Sequence, residues 1–170
     1  MGLKIWLPLD GNLENKGIDQ EIIFNSTPTW DNNAKIGQKC LRSTLGTFTV
    51  PSMANKKEMS FAYWVKINTS TTTNWLDTIT WYTTDGETAQ TCRQEFYNTT
   101  GTSMTTGCWY KGGSNSGFIN QEIGKWYHYI FTINYNTGES NFYINGVFQK
   151  KTTNIDTSHY IRETNNFRLR

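Results

Sequence analysis

Residues 126–149, WYHYIFTINYNTGESNFYINGVFQ, set a histidine among tyrosines with a glutamate and asparagines close behind, a mixture that suits either an active site or a sheet. Alternation decides between them. From Tyr127 to Tyr135, the residues Tyr129, Phe131 and Ile133 fall on one side and His128, Ile130, Thr132 and Asn134 on the other, the period of two that belongs to a strand. Asn136-Thr137-Gly138 turns the chain, and Ser140 to Ile144 returns with Phe142 and Ile144 on one face. Asn145-Gly146 tolerates positive φ at both centres of a type I′ turn, so Val147 to Lys150 is predicted as a third antiparallel piece. His128 is then a ring on a strand face, Glu139 a turn residue, and Asn145 a backbone solution.

The same rule extends to Met59–Ile67, where Met59, Phe61, Tyr63, Val65 and Ile67 form a core face and Ser60, Ala62, Trp64 and Lys66 the other. Weaker strand signals cover 4–9, 38–43, 47–50, 75–82, 91–97, 108–111 and 166–170. Gly, Asn and Ser clusters separate them, and helical periodicity is nearly absent. The polar stretches 68–74, 98–107 and 112–117 read as exposed loops. So many short strands predict an all-β chain, folded as a two-sheet antiparallel jelly-roll sandwich. The length of 170 residues suits a single domain, 1–170.

Composition narrows the function classes. Hydrophobic residues make up 36% of the chain, but 15% of it is aromatic, and each buried ring removes roughly 150–250 Å² from water, so a core is attainable with few aliphatic side chains. The net charge is only +2, and the adjacent basic pairs are Lys56-Lys57 and Lys150-Lys151, which does not make a nucleic-acid face. No apolar run approaches a membrane span, and the start, MGLKIWLPLD, is too short and interrupted for a signal peptide. Three cysteines, Cys40, Cys92 and Cys108, show no C-x-x-C spacing and read as free thiols. Of the two histidines, His159 is expected in a polar loop, and neither supports a metal or catalytic site.

The series LPLDGNLENKG (7–17), IGQKCLR (36–42), MSFAYWVKI (59–67), KWYHYIFTINYNTGESNFYINGV (125–147) and NNFRLR (165–170) resembles the laminin G-like, concanavalin A-like jelly-roll superfamily. Within it, the chain is most similar to single-domain members from bacteriophage structural proteins and bacterial surface proteins. The resemblance implies a convex and a concave sheet. Family domains also generally continue into a C-terminal return strand beside the first strand, and this chain stops at Arg170. The edge at Leu3–Leu9 is therefore expected to take a strand from another subunit, unless the chain continues.

The resemblance also implies alternatives for function. Family glycoside hydrolases carry E-x-D-x-x-E, a pattern absent here, so the chain is expected not to be an enzyme. The family often holds structural calcium near the first loop; Asp10 and Asn12 are the matching positions, and Asp10 suits a turn cap equally well. With seven tryptophans, the positive signal is aromatic: Trp64, Trp75, Trp81, Tyr82, Trp109 and Tyr110 are candidates for stacking on a sugar, against the alternative that the rings fill the layer between sheets. By resemblance, the expected function is a non-catalytic module of a bacteriophage virion, a capsid decoration, head-fibre or tail-associated protein. It would be made in the host cytoplasm, attach to other virion proteins, and bind host-surface or mucosal glycans. A polysaccharide-degrading hydrolase and a purely structural cover are the alternatives.

Overall fold

The structure is a computed structural model that describes residues 14, 17, 22–25, 27, 29–41, 46–68, 76–84, 89–98, 103–109, 119–164 and 166–169; within these, 46–47, 76–77, 89–98, 103–109, 119–120 and 169 are described through their backbone. In chain order the strands are β1 (Ile23–Phe24), β2 (Trp30–Asp31), β3 (Cys40–Leu41), β4 (Gly46–Thr49), β5 (Glu58–Lys66), β6 (Leu76–Thr84) and β7 (Ala89–Asn98). They continue with β8 (Ser103–Trp109), β9 (Ile119–Glu122), β10 (Trp126–Asn134), β11 (Glu139–Ile144), β12 (Val147–Thr152), β13 (Tyr160–Ile161) and β14 (Phe167–Leu169). One 3₁₀ turn, Pro51–Met53, is the helical element among the described residues. No described helix is long and apolar enough to cross a membrane.

Two antiparallel sheets form the sandwich. The larger runs β1-β4-β14-β6-β7-β8-β9 with β13 also on β6, and the smaller runs β12-β11-β10-β5. A two-stranded ribbon of β2 and β3 is separate. The hairpin expected from 126–149 is present: β10 pairs β11 from Tyr129–Ile144 to Asn134–Glu139, and β11 pairs β12. Its tight turn has φ of 50° at Asn145 and 80° at Gly146, as a two-residue I′ connection requires. β10 also pairs β5 along nine residues, from Trp126–Lys66 to Asn134–Glu58.

Rings interleave between the sheets. Phe61 and Phe131, directly opposed on β5 and β10, stack at 4.8 Å, and Trp81 of the large sheet reaches across to Phe131 at 5.0 Å. Phe167 meets Phe61 edge-on at 5.3 Å and Phe48 at 5.6 Å. Tyr129, Tyr135, Phe142, Ile133 and Ile161 complete the fully buried set. Aromatic residues thus supply most of the layer that a chain poor in aliphatic residues needs.

β14 lies inside the large sheet, with Phe167 opposite Phe48 on one side and Trp81 on the other. The buried Asn166 anchors its entry. Its Oδ1 accepts from the Val50 N–H at 2.9 Å and its Nδ2 donates to the Val50 carbonyl at 3.0 Å, so one side-chain amide imitates a strand partner.

Several expectations need adjustment. The stretch 98–107, expected as a loop, ends β7 and contributes Ser103–Gly107 to β8, because cross-strand pairing from Arg93–Trp109 to Asn98–Met104 recruits a Thr-rich segment with no apolar alternation of its own. β1, β2, β9 and β13, of two to four residues, are too short to show an alternation in the sequence. His159 is buried at 1%, its ring 6.0 Å from Tyr135, although residues 156–158 before it are polar and exposed. The expected strand at 4–9, the Leu3–Leu9 edge and the loops 69–74 and 112–117 lie outside the described residues.

Candidate functional site

The outer face of the small sheet is ordered in rows set by the β5–β10–β11–β12 register. Lys66 faces Trp126 and Trp64 faces His128; Ala62, Ile130, Tyr143 and Phe148 form the next row; Ser60, Thr132, Asn141 and Lys151 the next; Glu58, Asn134 and Glu139 the last. Polarity therefore changes along the strands from basic and aromatic, through apolar, to hydroxyl and amide, and then acidic.

Trp64 dominates the first end. Its indole remains 38% exposed, too open for a core residue, yet it is held in place: the His128 ring lies 5.0 Å away at 33°, and the Lys35 ammonium sits 5.1 Å over the indole. Lys35 comes from the segment joining β2 to β3, which carries the exposed Ile36 and Lys39 as well. Lys66 repeats the arrangement 5.5 Å over Trp126. Each such cation–ring contact at an exposed site contributes about 0.5–1 kcal/mol, enough to order a lysine without fixing it. The backbone under His128 is rigid, since its N–H donates to Asn145 Oδ1 at 2.9 Å and its carbonyl accepts from the Asn145 N–H at 2.8 Å. Asn145 is thus a turn residue that also positions the aromatic pair.

The hairpin edge adds apolar surface. Phe148, 54% exposed, packs edge-on against Tyr143 at 5.5 Å, and Val147 beside it is also exposed. An open, flat face of this kind excludes little water. The pocket lined by Val65, Ile67, Gln121, Ile123 and Tyr129 is no roomier than one water molecule needs, roughly 10–15 Å³.

The aromatic candidates separate sharply. Trp64 is on the outer face. Trp81 is not a surface platform: it is 0% exposed, with Phe61 and Phe131 on its ring and its Nε1 donating to Tyr135 Oη at 3.0 Å. The physical reason is its place in β6: it alternates with the buried Ile79 and Thr83 and stands opposite Phe167 of β14, on the side that meets Phe61 and Phe131 of the small sheet. Tyr82 is half-buried on the opposite side, capped by the Arg162 guanidinium 4.4 Å from its ring. Trp109 pairs with Arg93 in β8, and its backbone alone is described. Trp75, Tyr110, Asp10 and Asn12 lie outside the described residues.

Sequence reasoning missed two features. Lys35 and Trp126 join Trp64 only through the fold; the lone signal for Trp126 was its place at the head of the best strand. Asp77 and Glu95 stand directly opposite each other on β6 and β7, with Gly107 opposite Glu95 on β8. Alternation assigns these positions to the register set that includes Thr80 and Arg93, opposite to the set of Trp81. Among the described residues no group of three or more His, Cys, Asp or Glu is close enough to hold a metal ion.

Residues 43–170 match the laminin G family model described as concanavalin A-like lectin/glucanases superfamily. Among solved structures, domain 4 of AbnA, a GH43 extracellular arabinanase from Geobacillus stearothermophilus, in complex with arabinotriose, is similar with a TM-score of 0.60 at 17% identity, over 99% of this chain and 84% of that one. A heptameric SAP-like pentraxin from Limulus polyphemus gives a TM-score of 0.49 at 18% identity, over 66% of this chain and 51% of that one. Among curated proteins none matches the sequence significantly.

Proposed function

The chain belongs to the concanavalin A-like lectin/glucanase superfamily, and from that premise we propose that it is a non-catalytic carbohydrate-binding module whose ligand stacks on Trp64. The observation that carries this is the exposed indole on the outer face of the small sheet, held by His128 and standing outside the core cluster. A preorganised ring gives a saccharide's C–H face a platform at little entropic cost. Ser60, Thr132 and Asn141, two rows away, supply groups that pair with hydroxyls, and Asn141 Nδ2 already donates to Thr132 Oγ1 at 3.3 Å. The arabinotriose in the similar arabinanase domain supports a saccharide as ligand of this fold, and at 17% identity carries no residues over.

The finer reading follows the resemblance of the sequence. The module belongs to a bacteriophage particle, as a capsid decoration, head-fibre or tail-associated protein, and attaches the particle to host-surface or mucosal glycans. Its partners are other virion proteins, and Asp10 and Asn12 are the positions at which the resemblance places a structural calcium ion. Detection of the chain in purified particles tests the location, and its absence from them removes this part of the reading. A glycan array tests the function: binding lost in Trp64→Ala is expected, and no binding to any sugar would leave a structural cover.

One observation favours a second reading. The register sets Asp77 directly opposite Glu95 across β6 and β7, and glycoside hydrolysis uses a pair of carboxyl residues. Sustained release of reducing ends from a polysaccharide, abolished by Glu95→Gln, would establish the hydrolase and sink the non-catalytic reading.

A further inference from the structure

Carboxylates are distributed very unevenly over the outer face of the small sheet. The Trp64 end carries Lys35, Lys66 and His128, with exposed Lys39 on the same β2–β3 segment as Lys35. Glu58 lies six residues along β5 from Trp64, about 20 Å away, well beyond the roughly 8 Å over which charges are felt at physiological salt. Glu58 is held there by the side-chain amides of Asn134 and Asn136, and Glu139 is held by Lys151 at 2.6 Å. Two further acids among the described residues are already engaged. Asp31, beside Cys40 on the ribbon, already accepts from the Asn33 N–H at 2.8 Å, and Glu122 is bound by Lys125 at 2.8 Å. Among the described residues, Lys35 and Lys66 rest over rings and not on carboxylates, and an ammonium over a ring keeps donors for an incoming anion.

We infer that the Trp64–His128–Trp126 patch, with Lys35 and Lys66, selects an acidic saccharide, a sugar bearing carboxylate or sulfate groups. This deepens the carbohydrate-binding reading and rests on it. The indole takes the sugar's C–H face while Lys35 swings from the ring to the sugar's anionic group. Lys66, one strand step from Trp64 on the same face and opposite Trp126, meets the anionic group of the neighbouring unit. The geometry assigns the occupant through charge complementarity: a neutral sugar would find the platform but would leave both ammonium groups unanswered.

Calorimetric titration of the full chain with trigalacturonic acid, with its fully methyl-esterified and uncharged form, and with sulfated galactotriose tests this. The acid is expected to bind about tenfold or more tightly than its ester at about 20 mM salt, with the gap closing near 500 mM as screening shortens the reach of the lysines. The double variant Lys35→Gln/Lys66→Gln changes exposed or half-buried surface positions, so it keeps the fold; it is expected to close the gap between acid and ester. Binding of the sulfated sugar with the same lysine dependence supports the inference and assigns recognition to charge; binding of the carboxylated sugar alone supports it and narrows the group to carboxylate. Equal or tighter binding of the ester, or a gap that survives the double variant, overturns the inference and leaves the carbohydrate-binding reading standing. If neither these sugars nor a neutral array binds, both fall together.

Discussion

Trp81 and Tyr135 join the two sheets through a buried hydrogen bond, the indole Nε1 donating to the phenol oxygen at 3.0 Å, with neither ring exposed. Trp81→Phe keeps most of the buried ring but removes the donor, so a loss of about 1–2 kcal/mol is expected in chemical denaturation. Trp81→Ala opens a cavity and is expected to cost about 3–5 kcal/mol. Saccharide affinity should be unchanged in the phenylalanine variant, since Trp81 faces away from the outer surface; a selective loss of binding at intact stability would contradict its assignment to the core.

Asn166 fixes the entry of β14 by bonding both backbone groups of Val50. Asn166→Ala strips a buried N–H and a buried carbonyl of that partner and should cost about 2–4 kcal/mol. Hydrogen exchange offers a local check: the Val50 amide should lose protection ahead of the small sheet.

Two glycines with nearly the same backbone geometry should respond differently to a methyl group. Gly138 has φ of 67°, and an added Cβ would lie 2.6 Å from the Ile155 carbonyl oxygen, whereas Gly146 has φ of 80° with open space around it. Gly146→Ala is expected to cost about 1 kcal/mol from left-handed strain alone. Gly138→Ala adds the backbone collision and should cost about 2–4 kcal/mol. Equal melting temperatures for the two variants would argue against the close approach of 153–156 to the β10–β11 turn.

Trp64→Ala should weaken saccharide binding by about tenfold while shifting stability by less than about 1 kcal/mol, because the ring is largely a surface group. His128→Ala loosens the same platform and is expected to have a smaller effect in the same direction. A large drop in stability with either variant would mark these rings as structural.

Cys40 titrates above the ordinary thiol range, first because burial disfavours the thiolate and second because Asp31 repels it, with Lys66 opposing both. Less thiolate is present at neutral pH than for an unperturbed cysteine, so alkylation followed by peptide mapping should be slow there and its rate should rise at higher pH than normal. Asp31→Asn is expected to move that rise to lower pH and Lys66→Gln to higher pH. A shift in the same direction for both would contradict the stated causes.

Legibility in the sequence followed the physical clarity of each segment. Met59–Ile67 and Tyr127–Tyr135 alternate apolar and polar residues, and the structure buries Tyr129, Phe131 and Ile133 as that pattern requires. β6 alternates poorly, since Thr78, Thr80 and Thr83 are all buried among its apolar residues, so nothing local told Trp81 from a surface tryptophan. Its side is fixed only by the pairing with β14, where Phe167 stands opposite it, and by the small sheet packed above.

By itself, the sequence determined the strands of the small sheet, the I′ turn at Asn145-Gly146 and the face on which Trp64 stands, because a period of two and a positive φ are local properties. The tertiary structure alone decided that Lys35 rests over Trp64, that Asp77 faces Glu95, that Phe167 slots between Phe48 and Trp81, and that His159 is buried. Each of these joins residues from different strands or loops, and such contacts depend on register and sheet order, which no stretch of chain encodes by itself.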